Sequence, residues 1–253
     1  MLTVTEAQLV AWITPLLWPF LRALALFASL PVFGQRVVPV RVRVALAFFI
    51  ALAAQPSLPA MATVALDSPA AVLLVVQQMI IGISLGFAVR IVFAAVEMGG
   101  EAVGLQMGLN FASFFDPATA AQTTTAGRVF GSMVALLFIV INGHLAVIAV
   151  LIESFQSFPV APEPFQFLRL MQAHAWAAEI FSLGLWIALP LMGMLLFVNI
   201  VLGIISRVAP QINVFAVGFP VTLGVGLIGM LLTLPLMQAP FTMALEKMLE
   251  NFR

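Results

Sequence analysis

Between Glu179 and Glu246 the chain carries a single formal charge, Arg207. One bilayer crossing needs only ~20 apolar residues, so a stretch this long must fold back on itself. The segment "SRVAPQIN" (Ser206–Asn213) is where it can turn. Pro210 pushes the residue before it out of helical geometry, and Arg207 favours a polar interface.

The same economy of charge runs through all 253 residues. Hydrophobic residues make up 63% and charged residues 8%, with a mean hydropathy of +1.18. Soluble domains average roughly 45–50% apolar and about 25% charged. The apolar excess exceeds what one interior can bury, so lipid or partner subunits must cover the rest. Ten basic and ten acidic residues leave no cationic surplus to hold phosphates, which argues against nucleic acid as a partner. There is no cysteine, so disulfides, thiolate catalysis and cysteine-held metals are excluded. The opening "MLTVTEAQLV" carries only Glu6 as a charge and leads into a run far longer than a signal core. It reads as a retained N-terminus followed by a membrane segment.

Six apolar runs approach or meet spanning length: about 9–32, 44–66, 69–96, 128–152, 176–206 and 208–237. The second is broken by Gln55-Pro56 and Pro59. The fourth holds Asn142 and His144. Prolines 15, 19, 31, 190, 220 and 235 fall inside or at the edges of these runs. Proline within an apolar helix frees carbonyls that protein neighbours or water must satisfy. Glycines recur at four-residue spacing as Gly82/Gly86, Gly100/Gly104/Gly108 and Gly127/Gly131. That spacing places each set on one helix face, where backbones approach closely. The packing they serve is either within the chain or against other subunits. In the tail, Phe241, Leu245, Met248 and Phe252 share one helical face, with Glu246, Lys247, Glu250 and Arg253 elsewhere. This predicts an amphipathic helix at an interface or on a partner. If all six runs cross, Arg36, Arg41, Arg43, Arg128 and Arg207 share one side, against Arg169, Lys247 and Arg253 on the other.

Catalytic signals are thin. "GISLG" (Gly82–Gly86) fits G-x-S-x-G, but a nucleophile elbow needs a strand before it and a helix after it. Here it lies within a helix-length apolar run. Ser84 reads as a hydroxyl bonded within its own helix, although pairing with His144 or His174 would suit an intramembrane protease. Two histidines 30 residues apart offer no metal cluster, and no phosphate loop is present. No cofactor is expected. A secondary transporter remains the rival, with Arg22, Arg90, Glu97, Glu101 and Asp116 as candidate intramembrane charges. Glu97 and Glu101, spaced i, i+4, read either as an ion site or as the headgroup-level end of the third run.

Three stretches together resemble one family. They are "RALALFASLPVFGQRVVPVRVRVALAF" (Arg22–Phe48), "GLQMGLNFASFFDP" (Gly104–Pro117) and "SRVAPQINVFAVGFPV" (Ser206–Val221). The family is FliR, the flagellar biosynthetic export-gate protein. "NVFAVGFP" leans towards the flagellar branch over the injectisome counterpart. The resemblance implies an all-α, multi-pass protein of kinked helical hairpins. It further implies a non-enzymatic subunit of the type III export gate in the bacterial inner membrane, within the flagellar basal body. The implied partners are FliP, FliQ and FlhB, with unfolded flagellar proteins passing transiently and lipid around the assembly. About 1–175 would be similar to FliP, about 176–237 to the FliQ hairpin, and about 238–253 would form the tail of one helical export-gate domain. Carried onto this chain, the family's central loop, residues 104–120, places Gln106, Met107, Asn110, Phe111, Phe114, Phe115 and Asp116 at a pore plug. Arg207, Pro210, Gln211 and Asn213 would form the hairpin turn. Bulky apolar side chains block or dewet a pore, and a breakable backbone there is tolerable when it lines a cavity or is buried in protein.

Overall fold

The computed structural model describes residues 6–35, 37–59, 61, 64, 68–109, 125–160, 173–211 and 213–253. Among these the chain is helical and contains no strand. The helices are α1 (Glu6–Ser29), α2 (Val40–Ala54), α3 (Pro69–Gln106), α4 (Thr125–Val140), α5 (Gly143–Ser157), α6 (Ala173–Val208), α7 (Val214–Thr233) and α8 (Gln238–Glu250). Short 3₁₀ turns follow α2 (Gln55–Ser57) and α7 (Leu234–Met237). Prolines explain both turns: Pro56 and Pro235 remove a backbone donor where an α-helix would need one. Pro15, Pro19, Pro190 and Pro220 instead lie inside continuous helices.

Among the described residues, five helical segments are long and apolar enough to cross a membrane: Trp12–Ser29, Val40–Ser57, Pro69–Gln106, Ala178–Val208 and Ala216–Glu250. The α4–α5 pair passes the same test as a broken span. The fold is therefore an all-α, multi-pass membrane protein. The third and fourth runs depart from their sequence limits in ways that bear on the site. The third does not stop near Glu97; α3 continues through both glutamates to Gln106. The fourth breaks at Ile141–Asn142, where Asn142 takes a left-handed φ of 57°. Asparagine is among the few side chains that adopt that region readily.

The chain divides into two compact units. The first comprises residues 1–90, 142–174 and 245–253, the second 91–141 and 175–244. In the first, Trp18, Leu74, Phe155 and Val160 form a core lined by Leu17, Leu21 and Val75. Gly82 and Gly86 bring α3 onto α1. A Cβ at Gly82 would strike the Arg22 carbonyl oxygen and lie 2.8 Å from Ala25 Cβ. One at Gly86 would lie 3.0 Å from the Leu26 carbonyl oxygen. The α1–α2 turn is tied by Arg43, whose Nη2 donates to the carbonyls of Gln35 and Val38, each at 2.9 Å.

In the second unit, Phe93 of α3 packs edge-on against Phe138 of α4 and Phe241 of α8, with centroids 5.5 and 5.8 Å apart. Gly99 of α3 and Gly184 of α6 meet: a Cβ at Gly99 would lie 2.8 Å from the Gly184 carbonyl oxygen, and one at Gly184 2.6 Å from that of Ala95. Phe241 of α8 is buried here, while Leu245 and Met248 of α8, with Phe252 just beyond it, are buried residues of the first unit. In contrast, α6 leaves Phe181, Trp186, Leu189, Phe197 and Ile204 exposed.

Candidate functional site

The described part of the candidate plug is its root. α3 ends at Gln106, and the chain then closes a Schellman turn: Leu109 N donates to Gly104 O and Gly108 N to Leu105 O, both at 3.1 Å. Gly108 holds φ at 78°, a conformation costly to any residue with a Cβ. Met107 is fully buried against α7. A Cβ at Gly226 would lie 2.6 Å from the Sδ, Cγ and Cε atoms of Met107, so this glycine is the notch that seats the methionine. Thr222, also buried, donates from Oγ1 to the Met107 carbonyl at 3.4 Å. Gln106 is half-buried, and among the described residues its Oε1 has no hydrogen-bond partner. Asn110, Phe111, Phe114, Phe115 and Asp116 lie outside the described residues.

The four candidate turn residues fall at the α6–α7 connection. Arg207 occupies the last turn of α6, and Pro210 and Gln211 are exposed in the turn. Asn213 caps α7: its Oδ1 accepts from Ala216 N at 3.3 Å, and its carbonyl from Ala216 N and Val217 N at 3.0 and 3.2 Å.

The glycine faces do different things. Gly100 abuts Phe130 of α4, whose Cβ and Cγ would lie 2.8 Å from an added Cβ. Gly104 is buried within the Schellman turn. Gly127 and Gly131 do not face backbone. They make room for the carboxylates of Glu101 and Glu97, respectively. This explains how α3 continues through two acidic residues: α4 carries a glycine opposite each one. Sequence spacing did not single out Gly99, Gly184 or Gly226, because each lies outside a four-residue glycine series.

Among the described candidate charges Arg22 is the most deeply placed, and it is fully buried. Its Nε donates to Gln78 Oε1 at 2.8 Å, Nη1 to Ser154 Oγ at 2.9 Å and Nη2 to the Phe158 carbonyl at 2.8 Å. Its Cζ lies 3.6 Å from the centroid of the Phe155 ring. Among the described residues its hydrogen-bond partners are neutral. Ser154 and Phe158 belong to the C-terminal end of α5, where aligned peptide dipoles present partial negative charge. The helix end and the ring face thus take the place of a carboxylate. This guanidinium joins α1, α3 and α5. Arg90 is exposed on α3. Ser84 lies mid-helix in α3 with no strand before it, so the nucleophile-elbow context is absent. No group of three or more histidine, aspartate or glutamate residues converges among the described residues.

Comparison with known proteins adds a whole-chain likeness. Residues 13–248 match the family model described as bacterial export proteins, family 1. The chain is 44% identical over 244 residues to the flagellar biosynthetic protein FliR of Escherichia coli K12, covering 95% of this chain and 92% of that relative. It is 30% identical over 216 residues to the FliR protein of Bacillus subtilis, covering 83% and 82%. The secretion system apparatus protein SsaT of Salmonella typhimurium is 28% identical over 165 residues, 64% of this chain and 63% of that one.

Proposed function

The chain belongs to the FliR family of bacterial export proteins, and from that premise we propose that it is a non-enzymatic core subunit of the flagellar type III export gate. In this reading it forms, with FliP and FliQ, the channel through which unfolded flagellar proteins leave the cell. FlhB then joins the assembled gate, and the site of action is the inner membrane at the flagellar basal body. The segment after α3 helps to plug the closed channel.

The observation that carries the plug reading is the construction of its root. α3 ends in a glycine-dependent turn while Met107 stays locked in α7. A segment rich in phenylalanine therefore starts from a fixed point in the protein. Apolar side chains suit a plug, because they exclude ions from an idle pore without binding any particular cargo sequence. The large exposed apolar face of α6 fits a chain that works inside an assembly.

Two experiments test this. The full chain, tagged and extracted in mild detergent, is expected to co-purify with FliP and FliQ, and its deletion to abolish motility and filament export. Purification as a monomer that transports a small solute into liposomes would instead establish the transporter reading. In the assembled gate, Phe114→Gly with Phe115→Gly is expected to raise resting ion leak, and an unchanged conductance would remove the plug role.

A further inference from the structure

The first unit contains a groove that the proposed export role does not use. It is an open groove of about 450 Å³ between α1 and α2, lined by Phe20, Val40, Arg41, Val44, Phe48 and Phe49, together with Ala45. Among the described residues its walls are apolar apart from Arg41, and no carboxylate lines it. Arg41 is exposed, and among the described residues it makes no hydrogen bond or ion pair. Its neighbour Arg43 is different, being engaged by the carbonyls of the α1–α2 turn.

The order of chemistry along α2 is what identifies an occupant. Arg41 stands in the first turn, and the apolar lining follows at Val44, Ala45, Phe48 and Phe49 along the same helix. α2 starts after Pro39 without a side-chain cap, so positive helix-dipole potential adds to the arginine at that end. The segment Val40–Ser57 is also the least covered of the five candidate spans, with 17% of it buried. A membrane helix with its arginine at one end places that cation at headgroup level and the residues beyond it among acyl chains. A partner helix lying in this groove would have to desolvate Arg41, or bring a carboxylate to meet it. An anionic phospholipid supplies both parts in the right order: phosphate for the guanidinium, hydrocarbon for the groove.

We propose that the α1–α2 groove binds one anionic phospholipid, with its phosphate on Arg41 and an acyl chain along Val44, Phe48 and Phe20. The test uses the complete gate, co-expressed with its partner subunits and purified from membranes in mild detergent. Co-purifying lipid is measured by mass spectrometry, and exchange is followed with vesicles of phosphatidylglycerol or phosphatidylcholine.

The native gate is expected to retain phosphatidylglycerol in preference to phosphatidylcholine. Arg41→Gln should lower retention roughly tenfold, the scale expected for a charge-assisted hydrogen bond. Val44→Trp, which fills the groove and leaves the arginine, should lower it as well. Gate yield should be unchanged in both variants, because Arg41 bonds to none of the described residues and Val44 faces the groove. Equal retention of the two lipids overturns the proposal. So does retention that survives Val44→Trp, which would mark a surface charge alone, or displacement by inorganic phosphate, which would mark an anion site without a chain. A Val44→Cys variant that cross-links to another gate subunit also overturns it, assigning the groove to protein. Loss of gate yield in both variants counts against it equally, since the groove would then be an assembly contact.

Discussion

Replacing Arg22 is the sharpest test of how the first unit is held together. Its guanidinium makes three hydrogen bonds to Gln78, Ser154 and Phe158 and covers the Phe155 ring. Hydrogen bonds from a charged donor contribute about 1.5–3 kcal/mol each, and a desolvated cation–π contact about 2 kcal/mol. Opposing them is the penalty for burying the charge, which is several kcal/mol. The variants separate these contributions. Arg22→Met keeps the volume and removes the charge. It strands three acceptors but relieves the desolvation, for a net loss of about 2–4 kcal/mol. Arg22→Lys keeps the charge on a point-like ammonium, which cannot serve three divergent acceptors or lie flat on the ring. It retains the desolvation cost with fewer bonds, so its loss should be larger, about 3–5 kcal/mol. The assay is denaturant titration of the purified gate in mixed micelles, scored by dissociation of this chain, with swimming motility as the cellular readout. The expected order is native, then Met, then Lys. A lysine variant close to native would refute the reasoning, because charge alone would then suffice. So would a methionine variant within about 0.5 kcal/mol of native, the range of an ordinary surface change.

Other substitutions probe the second unit. Gly100→Ala should destabilise more than Gly131→Ala: the first meets the Cβ and Cγ of Phe130 at 2.8 Å, the second a glutamate tail that can swing aside. The same titration measures both, with about 1–3 kcal/mol expected for the first. Gly226→Leu should unseat Met107 and destabilise by a similar amount, and adding Met107→Ala should recover much of it, as a double-mutant cycle would register. Asn213→Ala removes the α7 cap and should cost about 1 kcal/mol, seen as faster amide exchange in the first turn of α7.

Much of this fold can be read directly from residues. Long apolar runs with few charges mark α1, α3, α6 and α7, and Pro210 with Asn213 marks the turn between the last two. The tail's spacing of Phe241, Leu245, Met248 and Phe252 marks residues that are all buried. What escaped depends on partners distant in sequence. Glu97 and Glu101 read as the end of a run because nothing local reveals Gly131 and Gly127 opposite them. The break at Asn142 needs one left-handed residue, which periodicity does not register. Arg22 reads only as a candidate intramembrane charge until Gln78, Ser154 and Phe158 are seen around it. At the candidate plug the sequence supplied the segment and its glycines. Only the fold revealed that Met107 is seated in α7, with Gly226 providing the space.

The central claim is that this chain helps to close an export channel with the segment that follows α3. Its most direct test is the resting ion conductance of the complete gate in planar bilayers, with residues 110–116 present or removed. Met107 and the turn at Gly108 are left intact, so the root of the segment is unaltered. The account predicts a gate that is silent when intact and leaks when shortened, at equal complex yield. Equal conductance in the two would contradict it.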